Sequence, residues 1–214
     1  MMATDTTPTR TMRRGPYRNG IRTRHEILEA ATGVFAQHGF IGGTLRQIAD
    51  EVGVSPAALL RHFSSKEELL TEVLATSDAR NGVEIFGDHE GLAYFDRSGA
   101  LVRRNVENRR LVELLLTVKT EASDPAHPAR SFMERRATRY REQLTEQLCI
   151  ARDRGEIGAF TDEELEMEVH GYTALMDGIE LQWLLDPKLD LVSLWDRHYA
   201  GLRARWVAGT AGQG

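Results

Sequence analysis

The sequence predicts an all-α protein, with a small three-helix head followed by a larger helical body, and three observations carry that prediction. Apolar residues recur at three- and four-residue spacing along most of the chain. Ser or Thr stands three residues ahead of Gln or Glu at Thr44–Gln47, Ser65–Glu68 and Thr161–Glu164, a signature of helix starts. No alternation of apolar and polar residues is long enough to suggest a strand.

Residues 1–20, MMATDTTPTRTMRRGPYRNG, lack apolar periodicity and are rich in Thr, Pro, Gly and Arg, which predicts a flexible basic arm. Residues 21–66 form the head. Ile27, Ala31 and Phe35, with Leu28 and Val34 beside them, define its first helix, which Gly39 ends. Thr44 with Gln47 opens TLRQIADEV, and Gly53 closes it. Ser55 caps a helix of barely two turns with Pro56 at its start, and Ser65 caps a longer one from Lys66 to about Asn81. Within residues 67–214, the body, three glycines in GVEIFGDHEGLAYFDR (82–97) predict a softer junction. Helical patterning then runs as one element from Ser98 to about Ala122 and breaks at SDPAHPA. Met133, Ala137, Tyr140, Leu144, Leu148 and Ala151 form the next stripe, ended by Gly155 and Gly158. A helix apolar on several faces runs from Thr161 to about Leu185, before Pro187. Leu191, Leu194, Trp195, His198, Leu202 and Trp206 mark the last.

Composition narrows the function classes. With 28% charged and 41% hydrophobic residues in 214, the chain has the balance of a soluble globular protein. No apolar run suits a membrane span and no apolar leader opens the sequence, so no membrane partner and a cytoplasmic location are expected. Cys149 stands alone and reads as a small apolar residue on a helix. There is no G-x-S-x-G, P-loop or H-E-x-x-H, and Asp88–His89–Glu90 has no second half. No catalytic centre, cofactor or metal is therefore expected. Charge is unevenly spread: residues 1–66 carry 9 Lys and Arg against 5 Asp and Glu, whereas residues 67–214 carry 18 against 27. A basic head on an acidic body suggests that the head meets a polyanion.

QIADEVGVSPAALLRHF, Gln47 to Phe63, has the form of a helix-turn-helix. Ile48, Val52, Val54 and Leu59 supply the shared core, Ala49 the close crossing and Gly53 the turn. Such a second helix leads into the major groove with its N-terminal residues, here Ser55, Pro56 and Ala57, which suit close fit and thymine-methyl contact. Arg61, His62 and Lys66 are placed for phosphates. The same geometry also serves helical adaptors, and an enzyme carrying an incidental head is a further alternative.

Arg22 to Leu70, with ILEAATGVFAQHGF, TLRQIADEVGVS and RHFSSKEELL in order, resembles the tetracycline-repressor (TetR) family of bacterial regulators. That resemblance implies phosphate contacts at Thr44, His62 and Lys66 and recognition contacts around Ser55, Pro56 and Ala57. Two positions depart from the family pattern: Leu60 stands where an aromatic, most often Tyr, is usual, and Gly43 replaces one of a frequent Thr pair. The head then makes fewer polar contacts, or shifts them to Arg61 and to Arg10, Arg13 and Arg14 of the arm, which suit an adjacent minor groove.

The resemblance also implies an effector pocket in the body and a homodimer formed by the last two helices. Leu115, Val118, Met133, Tyr140, His170 and Met176 are the candidate pocket residues. Leu175, Ile179, Trp183, Trp195, Leu202 and Trp206 are the candidate interface, which gathers all three tryptophans. The full expectation is an all-α chain with an N-terminal three-helix helix-turn-helix DNA-binding domain and a larger helical ligand-binding and dimerisation domain. It would act as a repressor that holds a palindromic double-stranded DNA operator until a small-molecule effector, of unknown identity, releases it.

Overall fold

The structure, a computed structural model, describes residues 16–209, and every regular element among them is a helix. α1 (Pro16–Gly42) begins inside the stretch expected to be an arm, since proline is favoured in a helix's first turn. Its helical path breaks at Gly39, where φ is 70° and ψ 174°, a conformation open essentially to glycine alone.

Local caps then fix the head. Thr44 and Gln47 exchange both bonds of a capping box at the start of α2 (Leu45–Val52), and Gly53 closes it in the left-handed conformation. α3 (Pro56–Leu59) is shorter than expected, at four residues. Ser55 Oγ accepts the Ala58 amide at 3.1 Å, and turns continue to Phe63, whose amide reaches the Leu59 carbonyl at 3.0 Å. Such a helix has no stability of its own; buried Leu59 and the two flanking caps hold it in place. α4 (Lys66–Asn81) starts at Ser65, but the Glu68 carboxylate turns to the Ser64 amide and hydroxyl, at 2.6 and 2.5 Å.

The body departs from expectation twice. Residues 82–97 are not a soft junction: α4 runs on into a wider π-helical turn (Gly82–Phe86), followed by α5 (Leu92–Asp96). Ile85, Phe86, Leu92, Tyr94 and Phe95 from this stretch are buried, and their apolar burial outweighs the looseness of the glycines. The single helix expected over 98–122 is two, α6 (Ser98–Glu107) and α7 (Arg109–Glu121). They part at Asn108, whose side chain donates to the Arg104 carbonyl at 2.8 Å and so competes with the helix backbone. α8 (Arg130–Asp153), α9 (Asp162–Leu185) and α10 (Leu191–Ala208) follow as expected. Gly158, expected as a helix stop, instead lets the backbone pass Gly209, where a Cβ would lie 2.1 Å from the Gly209 Cα.

Two apolar clusters result. One joins Ile27, Phe35, Ile48, Leu59 and Phe63 of the head to Leu70 of α4, to Leu114, Val118 and Ala122 of α7 and its end, and to Met133 of α8. Packing therefore crosses the boundary expected after residue 66. The other, in the body, centres on edge-to-face rings: Phe95 lies 5.3 Å from Tyr172 and 5.0 Å from Trp206, and Tyr172 lies 5.5 Å from Trp195.

Candidate nucleic-acid interface and effector cavity

The leading residues of α3, Ser55, Pro56 and Ala57, are exposed, and so is Arg61, which has no ion-pair partner among the described residues. Leu60 points outward at 47% exposure, an apolar side chain on the same short segment. His62 is half-buried, and its carbonyl accepts Arg24 Nη1 at 2.9 Å. Arg24 also lies over the Phe63 ring and pairs with Glu72 at 2.9 Å, so one α1 side chain clamps the turn after α3 to α4. Thr44 is exposed, with its hydroxyl committed to Gln47.

Lys66 is placed differently from the expectation of a free phosphate ligand. Its ammonium donates to the Gly43 carbonyl at 2.7 Å and the Ile41 carbonyl at 3.2 Å, over the Phe40 ring. Partial burial lowers its pKa. It ties α4 to the turn before α2. Gly43 is buried there, and a Cβ would lie 2.9 Å from the Phe35 ring, so a threonine at this position would require Phe35 to move. Arg46, one position into α2 beyond Leu45, is a further candidate that sequence reasoning missed; its side chain is largely exposed and only loosely paired with Asp50 at 4.0 Å. Its signal was its place in the first turn after the Thr44 cap. Arg10, Arg13 and Arg14 lie outside the described residues.

A cavity of about 520 Å³ opens in the body between α4 and α9. Leu115, Met133, Tyr140 and Met176 line it; Val118 and His170 do not. Val118 is on the face of α7 that closes the head's core, and His170 is exposed on the outer side of α9. Sequence reasoning missed the polar groups of the wall. Arg136 grips Asp78 with two bonds of 2.8 and 2.7 Å, Lys119 holds Asp177 at 2.6 Å, and Asn105 donates to Glu180 at 2.6 Å. Burial pushes the Glu180 carboxyl up to about 7, with the Asn105 bond acting against it. Burial also raises Tyr94 to about 12 and holds Tyr140 well above the ordinary phenol range.

The interface candidates need correction. Ile179, Trp183, Trp195, Leu202 and Trp206 are buried within the single chain, and Leu175 packs against the same cluster. They build the core rather than a surface. The outward face of α9 carries Met167, Gly171, Ala174, Leu181 and Leu185 instead, at a spacing that keeps them on one stripe. Elsewhere, His89 bonds the Phe86 carbonyl at 2.8 Å, Glu90 pairs with Arg154, and burial raises the Cys149 thiol pKa, which suits packing better than nucleophilic attack.

The model of bacterial regulatory proteins of the tetR family matches residues 27–73, the run from α1 through α3 into α4. The HTH-type transcriptional repressor AcnR of Corynebacterium diphtheriae is 42% identical over 66 residues, 31% of this chain and 34% of that protein. The HTH-type transcriptional repressor KstR2 of Rhodococcus jostii is 32% identical over 107 residues, 50% of this chain and 46% of that one. Over residues 27–73 the chain is similar to regulators of the TetR family. It spans less than half the length of these two curated relatives. The likeness in fold runs further: the fatty acid degradation regulator FadR of Bacillus halodurans superposes with a TM-score of 0.70 at 19% identity, over 84% of this chain and 97% of that one. The family-model match thus lies in the head and the start of α4, whereas the likeness in fold extends over most of the chain.

Proposed function

We propose that the chain is a ligand-responsive transcriptional repressor that binds a palindromic operator as a homodimer and releases it when a small molecule fills the body cavity. The observation that carries this reading is the double duty of α7. Leu115 and Lys119 face the cavity, while Leu114 and Val118 close the core on which α3 sits. At the end of α7, Glu121 accepts the Phe40 amide at 2.8 Å, one residue after the break at Gly39, and Lys66 holds the next turn by its carbonyls. A ligand that displaces α7 therefore moves the seat of the reading head. Release requires the ligand to bind the displaced state more tightly than the DNA-bound one.

Contacts with DNA would come from the exposed Ser55, Pro56 and Ala57 for the bases, with Thr44, Arg46, Arg61 and His62 for phosphates. The second copy would meet the outward stripe of α9 and the exposed Ala200, Gly201, Ala204 and Val207 of α10, where small residues permit close approach of helices. The cytoplasm is the matching location. Two proteins of this fold have been solved with ligands, FadR of Bacillus subtilis with stearoyl-CoA and a putative regulator of Saccharomonospora viridis with choline. The fold alone therefore does not choose the effector. An electrophoretic mobility shift with the DNA upstream of the protein's own gene tests the proposal. A retarded band that weakens with salt is expected, and no band at low salt, where even nonspecific phosphate contacts survive, would overturn it.

A further inference from the structure

The cavity wall holds one carboxylate that no cation among the described residues pairs with. Of the four acidic residues on it, Asp78 is gripped by Arg136, Asp177 by Lys119, and Glu134 by Arg130 at 2.8 Å. Glu180 is by far the most deeply placed, at 3% exposure. One of its oxygens accepts the Asn105 amide, and the other has no partner among the described residues. The Lys119 charge reaches it, but the neighbouring Asp177 outweighs that help. An ionised carboxylate so placed is strongly unfavourable unless a positive group meets it.

The wall also carries Lys119, Arg130 and Arg136, each paired with a carboxylate, exposed Arg139 and half-buried Arg141, while four aromatic rings share the cavity with Glu180. Phe86, Tyr94, Tyr140 and Tyr172 line the same cavity, with Phe86 stacked on Tyr94 at 4.3 Å between ring centres. Gln143 donates to the Tyr94 hydroxyl at 3.1 Å, whereas the Tyr140 hydroxyl has no hydrogen-bond partner among the described residues. Ring faces attract organic cations, and a free phenol oxygen can accept an N–H. Apolar Leu115, Met133 and Met176 complete the space, which suits a body of drug-like size.

We propose that the cavity takes an amphiphilic organic cation, an amine with an apolar body, whose nitrogen sits against Glu180 among these rings. The proposal rests on reading the cavity as the effector site, and it adds the ligand's chemical class. Three probes of one shape and different charge test it: 4-phenylbutylamine, 4-phenylbutanol and 4-phenylbutyrate, titrated calorimetrically into the full chain and into Glu180→Gln. The amine should bind about tenfold more tightly than the alcohol, and the carboxylate should bind worst. Glu180→Gln keeps the shape and the Asn105 bond, so it should remove the amine's advantage while alcohol binding and the circular dichroism spectrum stay unchanged. Equal or tighter binding of the alcohol or carboxylate, an amine preference that survives Glu180→Gln, or binding of none of the three would overturn the proposal. A mobility shift on the same preparation separates the two readings. DNA binding without amine binding sinks this inference alone, and amine binding that depends on Glu180 without DNA binding sinks only the regulatory reading.

Discussion

At the scale of single residues, the candidate DNA-reading surface combines exposed Arg61 with an exposed apolar Leu60. Arg61 is exposed and has no ion-pair partner among the described residues, so Arg61→Ala should weaken binding to every DNA sequence and lower the slope of log affinity against log salt by about one, as measured by fluorescence anisotropy. Selective loss at one base position would show that Arg61 reads bases instead. Glu180 yields a prediction independent of any ligand. Its folded pKa of about 7 lies above the ordinary 4.5, so the folded chain keeps a proton that the unfolded chain gives up. Stability from this group is therefore full below the unfolded value, falls as pH rises through that window and is lost above about 7, by roughly 3 kcal/mol. Glu180→Gln should unfold at higher denaturant than the parent at about pH 8 and match it near pH 4, a window set by this carboxyl's two pKa values.

At the scale of elements, the junction of α1, α2 and α7 is where the head meets the body. Gly39→Ala imposes a left-handed φ of 70° and sets a methyl 2.2 Å from Glu121 Oε1, so it should cost about 1–3 kcal/mol of stability in chemical denaturation. Glu121→Ala removes the acceptor of the Phe40 amide, and hydrogen exchange at that amide should accelerate while exchange within α10 does not change. What could be read in advance divides along the same line. The caps at Thr44, Ser55, Ser65 and Thr161 depend on residues three positions apart, so α2, α3, α4 and α9 were legible from the sequence. The break at Asn108 was not, because an asparagine inside an apolar pattern is equally compatible with continuing a helix. The inward or outward sense of a stripe also escaped local reasoning. Trp195 and Trp206 have the same helical spacing whether they face a core or a partner, and only packing against Phe95 and Tyr172 decides. Val118 was assigned to the wrong cluster because α7 serves two cores, and Glu180 was passed over because a lone acid on an apolar helix carries no motif.

At the scale of the whole molecule, folding and assembly should separate by mutation. Trp195→Ala empties a fully buried site and should destabilise the chain by about 3–5 kcal/mol in denaturant titration. Leu185→Glu alters a residue 79% exposed, so the melting of the isolated fold should barely change. In light scattering, however, that variant should run as a monomer, and its operator affinity should collapse because one short α3 reads too few bases alone. A dimer that survives Leu185→Glu would place the partner elsewhere. The central claim, that two copies present α3 to two half-sites, is tested most directly by footprinting the full chain on the DNA upstream of its gene. Two protected half-sites related by a dyad are expected, with centres about 34–36 Å apart or a multiple of that. A single protected half-site, or no protection at low salt, would contradict it.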